Sequence, residues 1–113
     1  MPDRMRRVNE ALREVLSVRL AAGLKDPRIG FVTVTAVETI PDLSHARVYV
    51  SVLGTEEERD DSLVGLNASR GYLQAEIAKE VRMKRTPTLE FLHDDSVDRG
   101  FRINELLEEG PDR

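Results

Sequence analysis

The stretch ARVYVSVL, residues 46–53, alternates without a break. Ala46, Val48, Val50 and Val52 fall on one side, and Arg47, Tyr49 and Ser51 on the other. Successive side chains of a strand point to opposite faces, so this segment reads as a β-strand with one face buried. The stretch before it, GFVTVTAVETI at 30–40, is rich in Val and Thr, with Val32 and Val34 alternating with Thr33 and Thr35. It reads as a second strand. Pro41-Asp42 marks a turn between them, and so short a link makes an antiparallel hairpin the simplest pairing.

The flanking segments carry a different period. Met5, Val8, Leu12, Val15, Leu16 and Leu20 form one stripe at helical spacing, which predicts an amphipathic helix over 4–20. Asp3 can cap its start, and Gly23 followed by Asp26-Pro27 ends it. After Gly54, Thr55-Glu56-Glu57-Glu58 fits a capping box, and its acids sit at the positive end of a helix dipole. That run therefore reads as the start of a short helix, 56–66, and not as a metal site. A longer helix over 68–84 would turn Leu73, Ile77, Ala78 and Val81 inward and stop at Thr86-Pro87. TLEFLHD, 88–94, sets Leu89, Phe91 and His93 against Glu90 and Leu92 as a third strand. Ser96 can cap a last helix, 97–108, with Val97, Phe101, Ile103, Leu106 and Leu107, before a frayed tail at 109–113. One domain over 1–108 follows, of α+β class, with a three-stranded sheet and helices packed on a single face.

Catalysis is poorly supplied. His93 beside Asp94 and Asp95 reads as a polar strand end leading into a helix cap, and Ser44-His45 as turn or strand-start residues. No G-x-S-x-G elbow, H-E-x-x-H pair or P-loop occurs. The chain has no cysteine, which excludes disulfides, thiolate–zinc sites and cysteine nucleophiles. No run approaches the roughly 20 apolar residues of a membrane span, and MPDRMRRVNEALREV lacks a signal core. An intracellular protein is expected.

The charge distribution says more. The net charge is −4, yet Lys79, Arg82, Lys84 and Arg85 crowd together, and Arg4, Arg6 and Arg7 form a second group. Lys79, Arg82 and Arg85, three apart, would share one side of a helix end. Cations near a helix C-terminus suit its dipole, but a whole cluster repels itself unless an anion answers it. A polyanion would satisfy both groups, since Lys and Arg on phosphates release counterions. Gly71 sits inside helical pattern, where glycine costs about 1 kcal/mol against Ala. Either a tight helix–helix contact or a close approach of backbone to phosphate would account for it.

The stretches DPRIGFVTVT, PDLSHARVYVSVLG, LNASRGYL and RMKRTPTLEFLHDDSVDRGFRINELL, taken in that order, resemble the ribosome-binding factor A family from about Arg4 to Leu107. The resemblance implies a type II KH-like domain, ordered α-β-β-α-α-β with a further C-terminal helix. In that family the GxxG loop of ordinary KH domains is replaced by a kink, often Ala-x-Gly. Ser69, Arg70 and Gly71 stand there in this chain, and the Ser69 hydroxyl could cap the following helix. The resemblance further implies a cytoplasmic monomer that is not an enzyme and uses no cofactor and no metal. It would bind immature 30S small subunits and their 16S rRNA and support late maturation, including processing of the 16S 5′ end. An assembly GTPase would assist its release. Arg4, Arg6, Arg7, Lys79, Arg82, Lys84 and Arg85 would neutralise phosphates, with Arg70 and Gly71 shaping the kinked surface. The competing reading is a KH-like protein-interaction module without direct RNA contact.

Overall fold

A computed structural model describes residues 3–95. The first helix, α1 (Asp3–Ala22), includes Asp3 and ends at Gly23. Gly23 adopts φ +93 and donates its N–H to the Leu20 carbonyl at 3.1 Å. Only glycine takes that left-handed geometry without a steric penalty, so the helix stops where the chain first can.

Strands β1 (Phe31–Thr39) and β2 (His45–Leu53) pair antiparallel. In the turn between them Leu43 takes φ +65, unusual for a branched side chain. Its amide donates to the Ile40 carbonyl at 2.7 Å, and its side chain is buried. Burial of a leucine stabilises by about 1.5–3 kcal/mol, enough to hold the strained conformation. Strand β2 buries Ala46, Val48, Val50 and Val52, as its alternation predicts. Strand β1 departs from simple alternation. A bulge between Val34 and Ala36 inserts one residue, so the buried positions move from Val34 to Val37 and Thr39.

Helices α2 (Glu56–Ala68) and α3 (Arg70–Glu80) carry the chain to β3 (Thr88–His93), which pairs parallel to β2 and completes the order β1-β2-β3. The capping box forms as read: Thr55 Oγ1 accepts from the Glu58 amide at 3.1 Å, and Glu58 Oε1 accepts from the Thr55 amide at 2.8 Å. Leu12 and Leu16 of α1, Leu66 of α2 and Leu73 and Ile77 of α3 meet the inward sheet face at Val34, Val48, Val50, Leu89 and Phe91. The layout is the three-stranded α+β sheet with helices on one face.

Two details correct the sequence reading. Helix α3 ends at Glu80 and not at 84; Val81 is already extended, at φ −117 and ψ 121. The Thr88 amide must reach the Ser44 carbonyl, 3.0 Å away, to start β3 beside β2. Four more helical residues would carry the chain about 6 Å onward and leave only Arg85 to Pro87 for the return. Val81 and Met83 pack against the core instead. Ala78, expected inward, is exposed. The helix proposed for 97–108 and the tail at 109–113 lie outside the described residues.

The outer edge of β3 is closed by amide side chains. Asn67 Oδ1 accepts from the Phe91 amide at 3.0 Å, and Gln74 Oε1 from the Leu89 amide at 3.0 Å. Asn67 Nδ2 also donates to the Leu63 carbonyl at 3.0 Å. Two polar residues, one from each central helix, thus blunt an edge that would otherwise present free donors.

Candidate nucleic-acid interface

Helix α2 passes into α3 through one non-helical residue, Ser69, at φ −93 and ψ 2. Its amide bonds back to the Gly65 and Leu66 carbonyls, and its carbonyl accepts from the Leu73 amide at 3.1 Å. The Ser69 hydroxyl makes no cap to α3, contrary to the role read for it in the sequence. Ser69 separates the two helices, and Arg70 and Gly71 are the first residues of α3.

Gly71 is exposed in the first turn of α3, has no positive φ, and an added Cβ would meet none of the described residues within 4 Å. Among the described residues neither backbone conformation nor packing requires a glycine there, so no tight contact between the described helices accounts for it. The glycine that packs closely is Gly65. A Cβ there would stand 2.7 Å from Ile29 Cγ1 and 3.3 Å from Asp26 Cγ. It lets the 26–29 loop lie against α2. The sequence offered only a glycine within a helical run as a signal for it.

The cations fall into four settings. Lys79 Nζ lies 3.1 Å from Glu76 Oε2, while Arg19 of α1 holds Glu76 Oε1 at 2.8 Å and Glu80 at 3.4 Å. Glu76 is buried, 6% exposed, and clamps α1 to α3. Lys79 therefore already serves an internal carboxylate. Arg82, Lys84 and Arg85 are exposed in the 81–87 loop, not on a helix side. This loop leads to Thr88, beside the hairpin turn. Asp42 in that turn is held below its usual range chiefly by hydrogen bonds from Ser44, with attraction from Arg85 adding to them.

Arg4, Arg6 and Arg7 are exposed on the first turns of α1. Five residues past Arg4, the buried Asn9 Oδ1 accepts from the Thr39 amide at 3.0 Å, which fixes this end of α1 to the hairpin-turn end of the sheet. The basic loop and the N-terminal arginines therefore share one end of the fold. Arg70 and Gly71 sit at the far end of α3, about 16 Å away by helix rise. Between them the exposed side of α3 presents Ala75 and Ala78, small residues that leave its surface low.

A model of the ribosome-binding factor A family matches residues 4–107. The chain belongs to the ribosome-binding factor A family. The family's protein from Brevibacillus brevis is 49% identical over 106 residues, covering 94% of this chain and 88% of that one. The crystal structure of ribosome-binding factor A from Thermus thermophilus superposes with a TM-score of 0.70 at 35% identity, covering 79% of this chain and 94% of that one. A homology model of the Thermus thermophilus factor, fitted into a cryo-EM map of its complex with 30S, gives a TM-score of 0.61 at 38% identity, with 75% and 89% covered. The fold is KH-like, as these family structures are.

The histidines have ordinary surroundings. His45 Nδ1 lies 3.1 Å from the exposed Ser44 hydroxyl, and His93 Nε2 lies 3.4 Å from Arg59 Nη1. Among the described residues no group of three His, Cys, Asp or Glu side chains could hold a metal. The Arg19–Glu76–Lys79 cluster and the Asn67 and Gln74 edge contacts were not read from the sequence. Each pairs residues from elements whose relative placement only the packed core defines.

Proposed function

We propose that this chain is a small-subunit assembly factor that binds immature 30S particles through 16S rRNA. The observation that carries the reading is the grouping of exposed cations. In a chain of net charge −4, Arg82, Lys84 and Arg85 gather at the same end of the fold as Arg4, Arg6 and Arg7. The 30S complex of its Thermus thermophilus relative supports the same partner. Phosphates laid over this end would replace the counterions that such a cluster otherwise holds. The low surface of α3, from Gly71 past Ala75 and Ala78, lets a sugar-phosphate backbone come close to the helix. Lys79 contributes less, because it is drawn toward Glu76.

On this reading the protein acts as a cytoplasmic monomer without cofactor or catalytic step of its own. It supports late maturation, including processing of the 16S 5′ end, and an assembly GTPase assists its departure before translation. The deciding experiment is sedimentation of a lysate: the protein should travel with free small subunits and be absent from translating ribosomes. Uniform distribution through the gradient would sink the assignment. Lys84→Glu with Arg85→Glu should weaken subunit binding and flatten its salt dependence while leaving the thermal transition in place.

A protein-interaction module is the second reading, and one observation favours it. Phe31 and Leu53 are register partners on the open sheet face, 79% and 76% exposed. An apolar protein contact there would be nearly insensitive to salt, whereas phosphate contacts weaken steeply as salt rises.

A further inference from the structure

We propose that Tyr72 and the cleft beside it form a nucleobase-binding subsite, which takes an unpaired base of single-stranded RNA. This deepens the assembly-factor reading and rests on it. The chain holds two tyrosines and three phenylalanines. Phe91 is core, and Tyr49 is half-buried with its hydroxyl donating to Glu38 at 3.2 Å. Of the described aromatics, Phe31 and Tyr72 stand well into solvent, the latter 51% exposed.

Their surroundings differ in sign. Phe31 borders a depression shared with Glu58, Asp61 and Arg28; Arg28 is already held by Asp26, so the two acids there would repel phosphate. Tyr72 borders a cleft walled by Gly23, Leu24, Lys25, Asp26 and Ser69, predominantly apolar in surface. Asp26 is the carboxylate there, and Arg28 already holds it at 2.6 Å, so its charge is answered. Lys25 is exposed in the same wall. Among the described residues Lys25 pairs with no carboxylate.

An aromatic ring beside an apolar slot, with the exposed Lys25 in its wall, suits a flat heterocycle whose own chain carries phosphates. A base stacked on tyrosine is held without sequence preference, because every base has a π-face. Gly71 adds to the case. Among the described residues its missing side chain makes room for no neighbour, and it leaves the backbone next to Tyr72 open to a ribose. The subsite lies at the opposite end of α3 from the basic loop. A single strand running along Ala75 and Ala78 would join the two.

The test uses the full chain labelled with 3-fluorotyrosine, whose two tyrosines give two ¹⁹F signals, assigned with Tyr49→Phe. Short oligoadenylate and oligouridylate are the probes. The Tyr72 signal should move upfield with both, further with oligoadenylate, while the Tyr49 signal stays. Tyr72→Ala should weaken oligonucleotide binding about 5- to 150-fold, and Tyr72→Phe should preserve it. An unmoved Tyr72 signal, or one that responds to an apolar peptide and not to RNA, overturns the subsite. If it is unmoved while the Lys84→Glu, Arg85→Glu pair still loses the small subunit, the assembly-factor reading stands and the subsite alone is lost. A ring-current shift on RNA upholds the subsite even where the chain fails to sediment with small subunits.

Discussion

At Gly65 an added methyl would stand 2.7 Å from Ile29, whereas at Gly71 it would meet none of the described residues within 4 Å. The two substitutions should therefore act in opposite directions. Gly65→Ala should destabilise by about 1–3 kcal/mol through overpacking, and Gly71→Ala should stabilise by up to about 1 kcal/mol through helix propensity. Urea midpoints measured side by side check this. If Gly71→Ala also weakens subunit binding, its bare backbone is in the contact. Asp26 gives a residue-scale pH dependence. Hydrogen bonds from the Arg28 side chain and amide lower its pKa from 3.8 to about 2. A carboxyl depressed in the folded state adds stability above its unfolded value, and that share is lost as pH falls from about 3.8 through 2. Denaturant midpoints followed from pH 6 to pH 2 should decline less steeply in Asp26→Asn than in the parent chain.

Among the elements, β3 is the strand whose placement is least supported by neighbours in sequence. It pairs with β2 on one side only, and its other side is closed by Asn67 and Gln74. Asn67→Leu should leave the Phe91 amide without a partner and cost about 1–3 kcal/mol. The specific signature is faster hydrogen exchange at Phe91 with α1 unchanged. Thr55→Ala should cost about 1 kcal/mol by removing half of the capping box, read as a lowered thermal midpoint. The clamp of Arg19 on Glu76 and Glu80 ties α1 to α3 at the level where α3 must stop. It also restricts what Lys79 can offer to a partner.

For the whole molecule, the quantity that the proposed binding to 16S rRNA depends on is how many cations reach one phosphate track. Lys79→Ala should change subunit affinity less than Lys84→Ala, because Glu76 already engages Lys79. Each loop cation removed should lower the slope of log affinity against log salt by about 0.7–0.9. Equal effects at the two lysines would mean that the Glu76 contact opens on binding.

Periodicity decided most of this architecture in advance. An uninterrupted two-residue alternation can bury only one side of a strand, which is why the buried face of β2 was legible and its start missed only by His45. The capping box at Thr55 and Glu58 and the stop at Gly23 were equally plain, because both act within four residues of themselves. Local chemistry could not say where α3 ends, since Val81 leaves the helix to bring Thr88 beside Ser44, forty-four positions back in the chain. Nor could it reveal the bulge that shifts β1, the edge contacts of Asn67, or the partner of Lys79. The likeness to a known family supplied the function class and the neighbourhood of the kink. Which cations face outward at one end, and which are held by the chain's own carboxylates, depends on distances between α1, α3 and the hairpin. Those distances come from packing one shared core, and no stretch of sequence contains them.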